Sequence, residues 1–193
     1  MNDEEIFQQA LGGSQPALEE LVARYYGQLR AYFYRLVNGN LPDAEDLVQE
    51  TFLRILHYKG KAPHTFRPWI YTVAHNLAYD FFRSAHYKRE LVGINADPIE
   101  DEADYLFLPQ ADAADHVLEA KLLEQVSADA IYKNLYRLPM IQREVIIMRF
   151  YGEMKLEEIA VITGCPVGTV KSRLCRGLKM YKRILEEVEY DKE

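Results

Sequence analysis

The chain has 193 residues, 49% of them hydrophobic, and carries a formal net charge of −7 at pH 7. This length allows one large domain or two small ones, and the acidic balance excludes a generic polyanion binder. No apolar run approaches the roughly 20 residues that span a bilayer, so no membrane insertion is expected.

The N-terminus and the cysteines both favour a cytoplasmic protein. The first five residues, Met1–Glu5, are acidic and lack the basic and apolar regions of a signal peptide. Cys165 and Cys175 are expected to remain reduced, because a disulfide would tie a turn to the middle of a helix.

Apolar residues recur at helical spacing through residues 1–92, and strand alternation is absent. Ser14, with Pro16 in the first turn, predicts a long helix that ends at the Asn-Gly-Asn turn of residues 38–40. A second helix opens at Pro42-Asp43. The apolar residues predicted to point inward from it are Ala44, Leu47, Val48, Phe52, Ile55 and Leu56.

The second helix carries a polar face. Asp46, Gln49 and Glu50 lie three and four residues apart and therefore share one side, away from Leu47 and Val48. Taken alone, the motif favours a solvated acidic face, and the alternative is a docking site for a basic partner.

A third long helix is predicted after the loop of residues 60–63, with Thr65 as its cap and Pro68 in its first turn. Trp69 and Phe81 are predicted to be core. The helix holds more aromatic and polar residues than one buried stripe needs, and such residues can hold unstacked bases. Four of these aromatic and polar residues cannot all face one core. They are Tyr71, His75, Asn76 and Tyr79.

Residues 93–115 interrupt the helical pattern and read as an acidic linker. Residues 93–134 carry ten acidic side chains against two lysines. Residues 61–92 carry five basic side chains against two acidic, and residues 135–184 carry ten against four. Two basic segments separated by an acidic one predict two nucleic-acid surfaces joined by a spacer.

Helical spacing resumes at Val117 and continues past Leu138-Pro139 to Gly152, which ends a helix. Residues 156–174 then read as a helix-turn-helix, with Gly164 in the turn at positive φ. The second helix of the pair is basic and has no acidic residue before Glu186, which suits a DNA major groove. Residues 116–193 are therefore predicted to form a second helical domain.

Two other classes of protein remain open at this point. An ordinary helix-turn-helix regulator would account for residues 135–185, but not for the polar face or the aromatic helix. A metal protein would need ligands, and His64, His75 and His86 are spaced by eleven residues, about three helical turns. His64 falls in the predicted loop, and no carboxylate accompanies the three at ligand spacing.

Several ordered motifs resemble those of extracytoplasmic-function (ECF) sigma factors, the small promoter-recognition subunits of bacterial RNA polymerase. The resemblance covers about residues 10–92 and 116–186, and the joint order of the motifs is more specific than any one of them. They are Asp43–Phe52, Trp69–Tyr71, Ala74–Asn76, Leu138–Pro139, Gln142–Glu144, Glu158–Ala160 and Pro166–Leu174.

The resemblance implies an all-α protein with two small domains, sigma domain two at residues 1–92 and sigma domain four at residues 116–193. It implies no enzyme activity and no cofactor. The partners it implies are core RNA polymerase, through its β′ clamp helices and β subunit, promoter DNA, and an anti-sigma factor.

The resemblance also implies roles for particular residues. Those matching the clamp-binding motif are Asp46, Gln49 and Glu50. Those expected at the −10 element are Trp69, Tyr71, His75, Asn76 and Arg83, with Asn76 in the strand-contacting position. Those expected at the −35 element are Thr169, Lys171, Ser172, Cys175, Arg176 and Lys179. Lys171, Ser172, Cys175 and Arg176 are predicted on the exposed side of the recognition helix.

Overall fold

The computed structural model describes residues 1–84 and 134–190, and every regular element in these ranges is a helix. The chain divides into two compact units, one built on the N-terminal helices and one on the C-terminal helices. The predicted all-α class is thus confirmed. The predicted linker, and the helical spacing expected from Val117 to Ile131, lie outside the described residues.

Residues 1–84 contain four helices. They are α1 (Asp3–Leu11), α2 (Gln15–Leu36), α3 (Leu41–Leu56) and α4 (Phe66–Arg83). The last three begin where the cap and proline residues predict, and α2 ends just before the predicted turn of residues 38–40. α1 was not predicted, although a capping box starts it: Asn2 accepts from the Glu5 N–H at 2.8 Å, and Glu5 accepts from the Asn2 N–H at 3.2 Å.

The core of this unit lies where one apolar side of each helix meets the others. α2 packs on α1 and α3, and α3 packs on α4. The buried residues of α2 recur every three or four positions, which is the spacing of one helix face. They are Ala17, Leu21, Tyr25, Leu29, Tyr32, Phe33 and Leu36.

Within residues 134–190, the structure has a short 3₁₀ helix at Leu135–Arg137 and three α-helices. They are α5 (Met140–Ile146), continued as one π-helical turn over Ile147–Tyr151, α6 (Leu156–Thr163) and α7 (Val167–Tyr190). Gly164 joins α6 to α7 with φ +65°. The turn needs this positive φ, which glycine adopts readily because it has no Cβ. The helix-turn-helix is thus present.

α5 and α7 pack closely at Gly177. A Cβ built there would lie 2.9 Å from Ile146 Cδ1 and 3.2 Å from Gln142 Cβ. Gly177→Val is therefore expected to force the two helices apart and destabilise this unit by about 1–3 kcal/mol. Urea unfolding followed by circular dichroism measures the change. Gly168→Val is the matched control, because a Cβ at Gly168 meets nothing within 4 Å. Equal stability of the two variants would contradict the close packing.

Candidate functional site

The polar face of α3 is accessible to solvent. Asp46, Gln49 and Glu50 are all exposed, whereas Leu47 and Val48 between them are buried. This arrangement follows the predicted helical spacing. The face is therefore free to contact a partner without any rearrangement of the core.

An ion-pair chain links this face to α4. Arg54 Nε lies 3.3 Å from a carboxylate oxygen of Glu50, one helical turn away. The same guanidinium reaches Asp80 of α4 at 3.5 Å through its Nη2. All three side chains are well exposed, so each pair contributes at most about 1 kcal/mol to stability.

The polar face of α3 continues into an apolar one. Leu53 is 47% exposed and Leu56 is 53% exposed, one and two turns beyond Gln49. The inward position predicted for Leu56 is wrong, because α3 ends at this residue and Ile55 takes the buried position. Apolar side chains bordered by polar ones match the usual arrangement of a protein interface, an apolar centre with a polar rim.

On α4 the structure separates the predicted −10 residues into buried and exposed ones. Tyr71 is only 3% exposed and its ring meets that of Tyr32 edge-on at 5.5 Å, so the expectation that it is free to hold a base is wrong. Burial raises the pKa of the Tyr71 phenol. His75 is 9% exposed, with its ring 4.4 Å from that of Tyr79. Asn76 and Arg83 are exposed.

Trp69 belongs to an aromatic cluster at the start of α4. It is half-buried rather than the simple core residue predicted, and so is Phe81. The ring centroid of Trp69 lies 5.0 Å from that of Phe7, 4.8 Å from Tyr58 and 5.8 Å from Phe66. Sequence reasoning missed Phe7 and Tyr58, and the capping box of α1 was the signal that could have placed Phe7 on a helix.

The loop between α3 and α4 lies beside the end of α1. Together they line an open groove of about 580 Å³. Its lining residues are Gln8, Leu11, Gly12, Gly60, Lys61 and Ala62.

On α7 the predicted −35 residues differ in accessibility. Arg176 and Lys179 are exposed, and Thr169, Lys171 and Cys175 are half-buried. The exposed position predicted for Ser172 is wrong. It is 9% exposed, and its hydroxyl donates to the Gly168 carbonyl at 2.9 Å, one turn earlier on the same helix.

The histidines show no shared site in the part of the chain that the structure describes. His64 is exposed in the loop before α4, and His75 is buried within it. Residues 1–84 and 134–190 contain no group of three or more His, Cys, Asp or Glu that could hold a metal ion. His86 lies outside the described residues. In the same ranges, no helix is long and apolar enough to cross a membrane.

Family models of known proteins match two separate parts of the chain. The family model for Sigma-70 region 2 matches residues 21–87, and that for Sigma-70, region 4 matches residues 128–180. ECF RNA polymerase sigma factor SigW of Bacillus subtilis is 30% identical over 179 residues, which cover 91% of this chain and 92% of SigW. RNA polymerase sigma factor CarQ of Myxococcus xanthus is 30% identical, covering 93% of this chain and 95% of CarQ.

Two solved structures share the fold. CnrH in complex with the cytosolic domain of CnrY has a TM-score of 0.59 at 22% identity, covering 96% of this chain and 97% of CnrH. The sigma factor RpoE in complex with the anti-sigma factor NepR from Bartonella quintana has a TM-score of 0.59 at 23% identity. The match covers 87% of this chain and 96% of the solved chain.

With both sigma regions matched in order and relatives aligned along almost their whole length, the chain belongs to the ECF RNA polymerase sigma factors. It functions in promoter-specific transcription initiation.

Proposed function

We propose that the two units divide promoter recognition between them. Residues 1–92 act as sigma domain two, which binds core polymerase and helps to melt the −10 element. Residues 116–193 act as sigma domain four, which reads the −35 element as duplex, and residues 93–115 are the linker. The observation that carries this proposal is the exposed face of Asp46, Gln49 and Glu50. An ordinary DNA-binding regulator would not need this face, because it does not bind polymerase.

Asp46, Gln49 and Glu50 are the proposed contacts to the β′ clamp helices. The carboxylates of Asp46 and Glu50 present negative charge to a basic partner, and the Gln49 amide adds neutral hydrogen-bonding groups beside them. Charge complementarity sets orientation and association rate. Leu53 and Leu56 extend the surface with area that a partner can bury. Domain four is proposed to contact the β subunit.

Melting of the −10 element is proposed to use the exposed side of α4 and the loop before it. Unstacking a base step costs a few kcal/mol, and stacking an extruded base on an aromatic ring returns about 1–3 kcal/mol. Half-buried Trp69 and exposed Asn76 and Arg83 remain the candidates for strand contacts, while Tyr71 and His75 support them from within the unit. Docking on polymerase supplies the remaining affinity.

Recognition of the −35 element is proposed to use the accessible side of α7. Arg176→Ala and Lys171→Ala are expected to weaken binding without unfolding the protein. A lost bidentate base contact costs about 1–3 kcal/mol, and a lost phosphate contact lowers the salt slope by about one. Salt titration of a holoenzyme–promoter complex measures both. Glu186→Ala, an exposed change near the end of the same helix, is the control. Parental affinity and slope in both variants would remove the assignment.

The chemistry of RNA synthesis is proposed to belong to the polymerase, with this chain supplying recognition and no cofactor of its own. Because both solved relatives were captured with a second protein, one of them an anti-sigma factor, we also propose that an anti-sigma factor holds this chain inactive. The protein is then cytoplasmic, and it is associated with the nucleoid when it is part of holoenzyme.

Footprinting with and without core polymerase tests the proposal against an ordinary regulator. Protection of both promoter elements is expected only when core enzyme is present. The acidic linker would repel phosphates or cover a basic face in the free protein. Equal protection by the free chain would favour the regulator.

A further inference from the structure

The first turn of α4 is capped by a residue of another helix. The backbone N–H of Phe66, the first residue of α4, donates to a carboxylate oxygen of Glu4 at 2.9 Å. Glu4 lies in the first turn of α1 and is half-buried. A residue 62 positions earlier in the sequence therefore satisfies one of the backbone donors that a helix start leaves without a partner inside the helix.

The local cap cannot satisfy this helix start fully. Thr65 occupies the N-cap position of α4, but its side chain makes no capping hydrogen bond. A cap side chain usually accepts from the second or third N–H of the helix, and the third residue here is Pro68, which has none. The Glu4 carboxylate instead supplies both an acceptor and a negative charge at the positive end of the helix.

Other contacts hold Glu4 in place. Its neighbour Asp3 accepts from Arg24 Nη1 at 2.5 Å and from the Tyr25 hydroxyl, both on α2. The Tyr25 ring packs on that of Phe66 at 5.2 Å, edge to face. Phe7, one turn beyond Glu4, packs on Phe66 at 4.8 Å. The start of α4 is thus fixed by α1 and α2 together.

We propose that Glu4 is a positioning residue for −10 recognition. Its carboxylate holds the first turn of α4, and through it the ring of Trp69 and the end of the preceding loop, in the geometry that receives the separated strand. This inference rests on the −10 site proposed above. Glu4 does not need to contact DNA. In this proposal α1 contributes to −10 recognition by holding the start of α4.

Free protein gives the first test, because Trp69 is the only tryptophan in the chain. Glu4→Ala is expected to increase acrylamide quenching of its fluorescence, since the first turn of α4 loosens. Glu4→Gln keeps an acceptor oxygen and is expected to resemble the parent. Glu19→Ala is the matched control, an exposed glutamate whose carboxylate accepts from Gln15 at 3.0 Å within α2. Equal quenching in Glu4→Ala and Glu19→Ala would overturn the proposal.

Holoenzyme gives the second test. Permanganate reactivity of unpaired thymines is expected to fall roughly fivefold in Glu4→Ala, the effect of losing one helix cap, with binding to core polymerase unchanged. Glu4→Gln is expected to restore most of the opening. The double variant Glu4→Ala with Thr65→Asp places a carboxylate at the cap position, where it can accept from the Arg67 N–H and restores negative charge at the helix start. It is therefore also expected to recover part of the opening. A folded double variant that opens no better than Glu4→Ala would contradict the capping role.

Asn76→Ala, measured in parallel, separates this inference from the −10 site itself. If Asn76→Ala lowers opening while Glu4→Ala matches Glu19→Ala, the positioning role of Glu4 is wrong and the −10 site stands. If neither variant lowers opening, the −10 site is wrong and the role of Glu4 falls with it.

Discussion

Asp46→Arg combined with Glu50→Arg is expected to abolish binding to core RNA polymerase while the helices remain folded. Both side chains are exposed, and neither contributes to the buried side of α3. Surface changes of this kind usually alter stability by under about 0.5 kcal/mol, and the new repulsion between position 50 and Arg54, one turn later, adds only a similar amount. Like charges placed against a complementary partner cost several kcal/mol in binding. A pull-down with core enzyme measures the loss.

The control for this experiment makes the same change of charge elsewhere. Glu19→Arg with Glu20→Arg on α2 also replaces two carboxylates by two guanidinium groups, and it breaks the surface pair between Glu20 and Arg24. Circular dichroism on both double variants confirms helix content. If the α3 variant is folded and binds core polymerase as well as the α2 variant does, the clamp-docking role of α3 is wrong.

Tyr71→Ala and Asn76→Ala are expected to give opposite results, although the two residues lie on one helix. Tyr71 is buried against Tyr32, so its truncation should destabilise the N-terminal unit by about 3–5 kcal/mol, as for other large aromatic residues. Asn76 is exposed, so its truncation should leave stability within about 0.5 kcal/mol and reduce promoter opening. Urea unfolding and permanganate reactivity measure the two effects.

Ser84→Ala is the control for the second measurement, because Ser84 is exposed and its hydroxyl donates locally to the Phe81 carbonyl. Asn76→Ala would fail the prediction if its promoter opening equalled that of Ser84→Ala. Tyr71→Ala would fail it if the variant unfolded at the parental urea concentration, since Tyr71 would then not be a core residue.

Helix positions were predictable from the sequence because turns and caps are local. Pro42 fixes the backbone at a helix start, and Gly39 and Gly164 allow the positive φ that ends a helix. The bounds of α2, α3 and the helix-turn-helix follow from these local signals. The polar face of α3 was predictable for the same reason. Three polar residues at helical spacing must share a side whatever surrounds the helix.

Burial on α4 was not predictable, because it depends on which neighbours cover each side. Periodicity predicts one apolar stripe, but α4 contacts both α2 and α3. Tyr71, predicted to be available for a base, is therefore buried, and Trp69, predicted to be core, is only half-buried. The contribution of α1 was missed for a related reason. The hydrogen bond from the Phe66 N–H to Glu4 joins residues 62 apart in sequence. A local sequence pattern cannot predict a partner at that distance.

Reconstituted transcription tests the central claim most directly. We mix the purified chain with core RNA polymerase and a promoter that the holoenzyme protects in footprinting, and we measure run-off transcripts. We expect a transcript from one defined start site that needs both the chain and core enzyme, and that disappears with Asp46→Arg plus Glu50→Arg. Failure of the parent chain to bind core polymerase, or an unchanged transcript from the double variant, would contradict it.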